Sequence, residues 1–395
     1  MYSLLLCIIF LAGINLGLPN SHLGSALPLM VNEFEIPLSC AGLLSTVCTT
    51  GSIMACFASE RMVQKYGVGL VLTGAVMVSA GALLGYALAS TFMFLCIVSI
   101  AYGFGSGVVD AVLNGYLVQR FPSRCLSLYH CSWGVGATIG PYIMGWAIAE
   151  KSGWRFGYSA VSAIQLAVAF VVFLSLPLWR RNKNDMGRER RSVSVGEGSM
   201  LKTRGVLPAA SGFFLYAIFD SAIFLWACTY LVECKGASPD TAAAYVAFFS
   251  LGITAGRFIN GFIADAVGDK NMIRAGIGVM LTGTILLAMP ISFTACAAAL
   301  FVMGLGEGPV YPSMVHCTSE LFGREKSVRV VNIELAFNRC GNILMAPVFG
   351  VIAQCVSMAI FPQPCTTCLP DNLQHISMPL PGMSSLGKVL RVSSN

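Results

Sequence analysis

Gly256-Arg257-Phe258-Ile259-Asn260-Gly261-Phe262-Ile263-Ala264-Asp265-Ala266-Val267-Gly268-Asp269-Lys270 carries charge where the long apolar runs on both sides carry almost none. Glycines at Gly252, Gly256 and Gly261 allow two helix backbones to approach closely, as small-residue spacings do in lipid. Asp265 then falls at a helix end, Gly268 makes the turn, and a second membrane-length helix follows. A generic charged turn between two spans would account for this much. A second copy of the surroundings accounts for more.

That copy lies upstream at an offset of 201 residues, which carries Gly268 onto Gly67. Gly67 closes a turn charged by Glu60, Arg61 and Lys65. The same shift carries Gly304-x-Gly306-x-Gly308 onto Gly103-x-Gly105-x-Gly107. Matched glycines and a matched turn at one offset indicate a duplicated half. The upstream turn departs from the downstream one at Glu60, where Gly261 stands, and at Gln64, where Asp265 stands.

Composition excludes a water-soluble domain. Of 395 residues, 56% are hydrophobic and 11% charged, with a mean hydropathy of +0.75. Soluble domains are about 25% charged, so this chain could not cover a water-facing surface. The net charge of +6 does not point to nucleic acid, because the basic residues sit in loops without interleaved aromatics. Most of the fifteen cysteines lie singly in apolar runs (Cys7, Cys48, Cys56, Cys96, Cys228, Cys296) and read as small hydrophobes. Cys365-Thr366-Thr367-Cys368 has no second pair, so no metal site and no cofactor is expected.

A helix needs roughly 20 apolar residues to cross hydrocarbon. Such runs lie near 3–30, 40–62, 68–89, 92–118, 127–149, 156–178, 207–232, 241–264, 272–289, 292–315 and 333–357. The first lacks a basic leader and continues through Pro19 and Pro28, so it reads as a retained span. Basic residues cluster in alternate loops (Arg61, Lys65, Arg120, Arg124, Lys270, Arg274, Arg324, Lys326, Arg329), which places Met1 inside. The expected organisation is an N-terminal six-helix bundle over 1–178, a basic cytoplasmic linker over 179–206, a five-span bundle over 207–357, and a polar, proline-containing tail over 358–395. No twelfth apolar run follows Gln354, where Pro362, Pro364, Pro370, Pro379 and Pro381 accumulate. A truncated or frame-shifted product is the simplest reading of that end.

Ionisable groups inside spans are expensive and mark function by default. Asp110 has Asn114 one turn later, a pair suited to a wet cavity or to a packing hydrogen bond; in a cavity, Asp110 could load and release a proton. His130 with Trp133 offers a titrating imidazole and a flat face for a sugar, or simply an interhelical donor. Tyr216 and Asp220 lie one turn apart, followed by Trp226 and Tyr230. Glu307 occupies the counterpart of Ser106, and Glu334, Asn338, Arg339 and Asn342 fall on adjacent turns. Arg339 needs an acid, for which Glu307 and Asp220 are the candidates. Asn20 and His22 interrupt the first span, as in a helix bent around a central site. The expected solute-binding set is therefore Asn20, His22, Asn114, His130, Trp133, Tyr216, Asp220, Trp226, Glu307 and Asn338, with Asp110 and Glu307 coupling the proton. Arg61, Lys65, Gly67, Arg257, Gly261, Asp265 and Gly268 form the conformational loops.

The spacing Gly261-x-x-x-Asp265-x-x-Gly268 between two apolar helices resembles the cytoplasmic loop signature of the major facilitator superfamily. Gly17-Leu18-Pro19-Asn20, Asp110 to Asn114, Tyr129-His130, Gly134-x-Gly136, Gly140-Pro141, Phe214-Leu215-Tyr216, Trp226, Tyr230, Gly256-Arg257 and Gly304 through Ser313 resemble its fucose-permease-like branch. The likeness covers residues 1 to about 357. It implies an all-α membrane fold of two pseudo-symmetric six-helix bundles, here with about eleven spans, and alternating access around a midplane site. It also implies sugar moved with a proton, with coupling acids on the first and fourth helices. Asp110 matches the second of these, whereas Asn20 stands near the first, where an acid is expected.

The expected protein is a multi-pass secondary transporter of the plasma membrane, monomeric, carrying a small hydrophilic solute such as a sugar together with a proton. No phosphate loop or nucleotide cassette is present, and no catalysis is expected. Two rival readings are an efflux carrier for a hydrophobic compound and a transport-inactive, truncated carrier-like protein.

Overall fold

The computed structural model describes residues 2–121, 123–150, 153–180, 203 and 205–362. Most of the expected linker and nearly all of the expected tail, with Cys365 and Cys368, lie outside the described residues, as does the question of a twelfth helix. Among the described residues the chain is helical and has no strand. The helices are α1 (Tyr2–Gly17), α2 (His22–Phe34), α3 (Leu38–Tyr66), α4 (Val68–Ala87), α5 (Phe92–Arg120), α6 (Ser123–Ala149), α7 (Gly153–Leu174), α8 (Leu176–Arg180), α9 (Val206–Lys235), α10 (Pro239–Val267), α11 (Asp269–Ala288) and α12 (Phe293–Cys355). Among the described residues, ten candidate spans are long and apolar enough to cross a membrane. The 27-residue α6 is of similar length but less apolar, and packs against α1 and α10. Phe57, Met93, Phe170 and Phe262 stand exposed on the outside, which suits hydrocarbon and not water.

The first expected span is broken, as Gly17, Pro19 and Asn20 suggest. α1 stops at Gly17, and a turn of four residues separates it from α2. α12 is helical for 63 residues, which would make a straight rod roughly 95 Å long. It is not straight. Thr318 donates to a Glu334 carboxylate oxygen at 2.7 Å, although sixteen residues of straight helix would separate them by about 24 Å. The chain therefore doubles back between these residues, and its arms, Phe293–Thr318 and Ile333–Cys355, are the tenth and eleventh expected spans.

The duplication is visible in the backbone. Gly67 and Gly268 both turn the chain at positive φ, +86° and +80°. α4 and α11 begin and end at the same offset of 201. Thr91 caps α5 by accepting from the Phe94 amide at 3.3 Å, and its counterpart Ser292 caps α12 by accepting from Ala295 at 3.3 Å. A Cβ on Gly103 would overlap the Cys48 carbonyl oxygen; one on Gly304 would overlap that of Phe249, the same offset again. These glycines hold the helix pairs α3 with α5 and α10 with α12 at backbone contact, where dispersion and not the hydrophobic effect holds helices together in lipid.

Two apolar clusters fill the first half, around Leu72, Val108 and Trp179 at one end and Met30, Tyr86 and Tyr158 at the other. One large cluster built on α9 to α12 fills the second. Trp179, at the edge of the expected linker, is buried against Tyr116 and donates to Ser175 at 2.9 Å. The halves meet through α2 with α9, α3 with α12 and α6 with α10. Many of these contacts lie away from the Gly67 and Gly268 turns. Gly24 sits under the Phe224 carbonyl and Gly42 under that of Ala346, Ser39 donates its amide to Gln354 at 3.3 Å, and Tyr142 meets Phe248.

Candidate functional site

At mid-depth the halves do not close, and a cavity of about 240 Å³ remains. The break between α1 and α2 contributes Asn20 and Leu23. α3 contributes Ser45, Cys48, Thr49 and Ser52, spaced i, i+3, i+4, i+7 so that one helical face is hydroxylated. Tyr86 of α4, Tyr102 and Ser106 of α5, and Tyr158 of α7 complete the first-half wall. The three tyrosines form one cluster: Tyr86 stacks on Tyr158 with centroids 4.8 Å apart and meets Tyr102 edge-on at 6.5 Å, while its hydroxyl bonds Ser99. The second half contributes Asp220, Ser221 and Phe224 of α9 with Arg339 and Asn342 of α12; Ser221 donates to Asn342 Oδ1 at 2.5 Å.

Charge at the site crosses the interface. The partner of Arg339 is Asp110, with Nη2 and Oδ2 3.8 Å apart, and not Glu307 or Asp220 as expected from sequence. Neighbouring turns of α12 placed Arg339 near the other second-half acids in the sequence, but packing of α5 against the opposite side of the cavity brings Asp110 closer. Asn114 donates to Asp110 Oδ1 at 2.8 Å and to its carbonyl at 2.9 Å, so the two polar groups do share a face. Glu307 is fully buried and neighbours Asp220 and Tyr216, with Arg257 acting on both acids. The Arg257 guanidinium lies over the Trp133 ring, 5.4 Å from its centroid, a second cationic contact between the halves.

A duplicated helical chain with its charges gathered around a cavity between the halves is the arrangement of a carrier, and a sequence profile of the Major Facilitator Superfamily matches residues 5–331. The chain belongs to the Major Facilitator Superfamily. It is 21% identical over 390 residues to Bypass of stop codon protein 6 of Saccharomyces cerevisiae, covering 88% of this chain and 77% of that one. It is 24% identical over 307 residues to a hexuronate transporter of Bacillus subtilis, covering 73% and 72%. Its fold is similar to the crystal structure of a D-xylose-proton symporter, with a TM-score of 0.72 at 14% identity over 95% of this chain and 98% of that one. Membership of the superfamily implies secondary transport through an integral, multi-pass protein.

Within this superfamily fold, the residues expected to bind solute divide into three groups. Asn20 and Asp220 line the cavity. Glu307 stands behind Asp220, and Asp110 with Asn114 is reached through Arg339. The remainder are not on the wall. His22 is buried edge-on to Tyr158 at 5.6 Å, and Tyr216 is buried against Tyr311 at 5.6 Å. Trp226 is buried against Phe349, and Asn338 donates to the Phe213 carbonyl at 3.3 Å. Trp133 meets Phe224 edge-on between the halves, and His130 lies beside Tyr129.

Of the loop set, Arg61, Lys65 and Gly261 are exposed near the turns made by Gly67 and Gly268, Arg257 reaches the half interface, and the Asp265 side chain lies outside the described residues. The sequence reading missed the α3 hydroxyl stripe and the tyrosine cluster. The stripe's i, i+3, i+4, i+7 spacing was a usable signal; the tyrosines come from three helices and gave none.

Proposed function

We propose that the chain is a secondary carrier of a small, polyhydroxylated solute of monosaccharide size, moved by alternating access and coupled to a proton. The observation that carries this reading is the cavity between the halves: hydroxyls of Ser45, Thr49 and Ser52 face an acid, an arginine and an amide across a space of about 240 Å³. That volume is below the roughly 300–1,000 Å³ of drug-sized sites and suits one sugar ring. Tyrosine rings beside it offer faces for ring C–H groups and hydroxyls for hydrogen bonds. Asp110 and Glu307, each within one residue of the cavity wall, are the groups that take up and release the proton. This agrees with the likeness to the sugar:proton branch, although Asn20 in place of an acid moves one coupling group into the second half. The basic loops favour an inward N-terminus in the plasma membrane.

Uptake into proteoliposomes tests the reading. With an inward proton gradient, a panel of radiolabelled monosaccharides and their derivatives should yield at least one solute that accumulates, and collapse of the gradient by a protonophore should abolish accumulation. Extrusion of hydrophobic dyes with no accumulation from that panel would replace this reading with efflux. Absence of both would favour a transport-inactive protein.

A further inference from the structure

Arg339 is the one cation among the described residues that line the cavity. Its counter-charge, Asp110, is not among the residues that line the cavity. The separation of 3.8 Å exceeds the 2.7–3.2 Å of a hydrogen bond, and Asp110 Oδ1 is already occupied by Asn114. Both side chains keep about a third of their surface exposed, so the guanidinium stays open to a second partner. The guanidinium carries five donors in a planar fork that fits a carboxylate bidentately. One turn further on α12, the Asn342 oxygen is occupied by Ser221, which leaves its amide N–H groups as donors. Among the described residues Asp220 is the one acid on the wall; it lies next to Glu307 and feels the Arg257 charge from its own half. The cavity therefore presents a cation with an amide donor beside it.

We propose that Arg339 anchors a carboxylate on the solute, with Asn342 as a second donor, so that the chain carries hydroxylated monocarboxylates of the sugar-acid class rather than neutral sugars. Asp110 holds the guanidinium in place until the solute arrives. This rests on the carrier reading above.

Equilibrium binding to the purified full-length chain in nanodiscs tests it, with D-glucuronate and D-galacturonate as probes against D-glucose and D-galactose. Each uronate should bind at least tenfold more tightly than its neutral partner. The double variant Arg339→Gln with Asp110→Asn removes both charges and leaves no orphan; it should lose about 100-fold in uronate affinity, the scale of removing one partner of a desolvated charge pair. Arg339→Lys keeps the charge without the fork and should fall in between. Neutral sugars bound as tightly as uronates, or a uronate preference that survives in the double variant, would overturn the anchor. Uptake of a neutral sugar without uronate binding would sink the anchor alone. No binding and no uptake of either class would remove it together with the carrier reading.

Discussion

Asp110 stands on α5 and Arg339 on α12, and the 3.8 Å between their charged atoms spans the junction of the halves. Asp110→Asn leaves the guanidinium without its counter-charge while retaining the hydrogen-bonding shape. Because both side chains are about one-third exposed, at 39% and 35%, the cost falls between that of surface and buried pairs, about 1–3 kcal/mol. The single variant should unfold at lower temperature in detergent and lose proton-driven uptake, and adding Arg339→Gln should restore most of the thermal loss. Full uptake and unchanged unfolding in Asp110→Asn would remove the pair from the mechanism. Glu307 is a different case, fully buried beside Asp220 and Tyr216. Glu307→Gln preserves volume and shape, so the protein should reach the membrane in normal amount. If Glu307 carries the proton, gradient-driven accumulation is lost in that variant while solute-for-solute exchange persists, because exchange needs no deprotonation. Asp110, Asp220 and Glu307 were readable as intramembrane acids from sequence. Their partners were not, since pairing depends on how each helix is rotated about its axis.

The boundaries of the elements were the most legible feature, because apolar runs of membrane length and glycine turns are local signals. α4 starts at Val68 and α11 at Asp269, each one residue after the glycine turn that the repeat identified. The reversal inside α12 shows the limit of a backbone label. The two arms were expected as separate spans, yet the backbone stays helical between them. The helix pairing of each half rests on backbone contact, which gives a sharp contrast between glycines. Gly103→Val would drive side-chain atoms into the Cys48 carbonyl, whereas a Cβ on Gly81 meets nothing within 4 Å. Membrane-inserted yield, measured by fluorescence-detected size exclusion, should collapse for Gly103→Val and for its counterpart Gly304→Val. Gly81→Val should stay near wild type. Equal yields would mean that α3 with α5, and α10 with α12, are not packed at their glycines.

The whole molecule is closed at the end opposite the Gly67 and Gly268 turns, where Gly24, Gly42 and Gly350 admit the other half to backbone distance. Contact there, with a cavity at mid-depth, predicts access from the turn end. The halves should rock about that cavity, so that opening one end closes the other. Gly42→Leu supplies a ligand-free test, because its side chain cannot fit beneath the Ala346 carbonyl and must hold the closed end apart. Spin labels introduced with unnatural amino acids at the exposed, repeat-related positions Tyr66 and Val267 report the turn end. Double electron–electron resonance should show a shorter distance between these labels in Gly42→Leu than in the wild type. An identical distance distribution in the two proteins, with Gly42→Leu folded and inserted, would rule out coupled rocking of the halves.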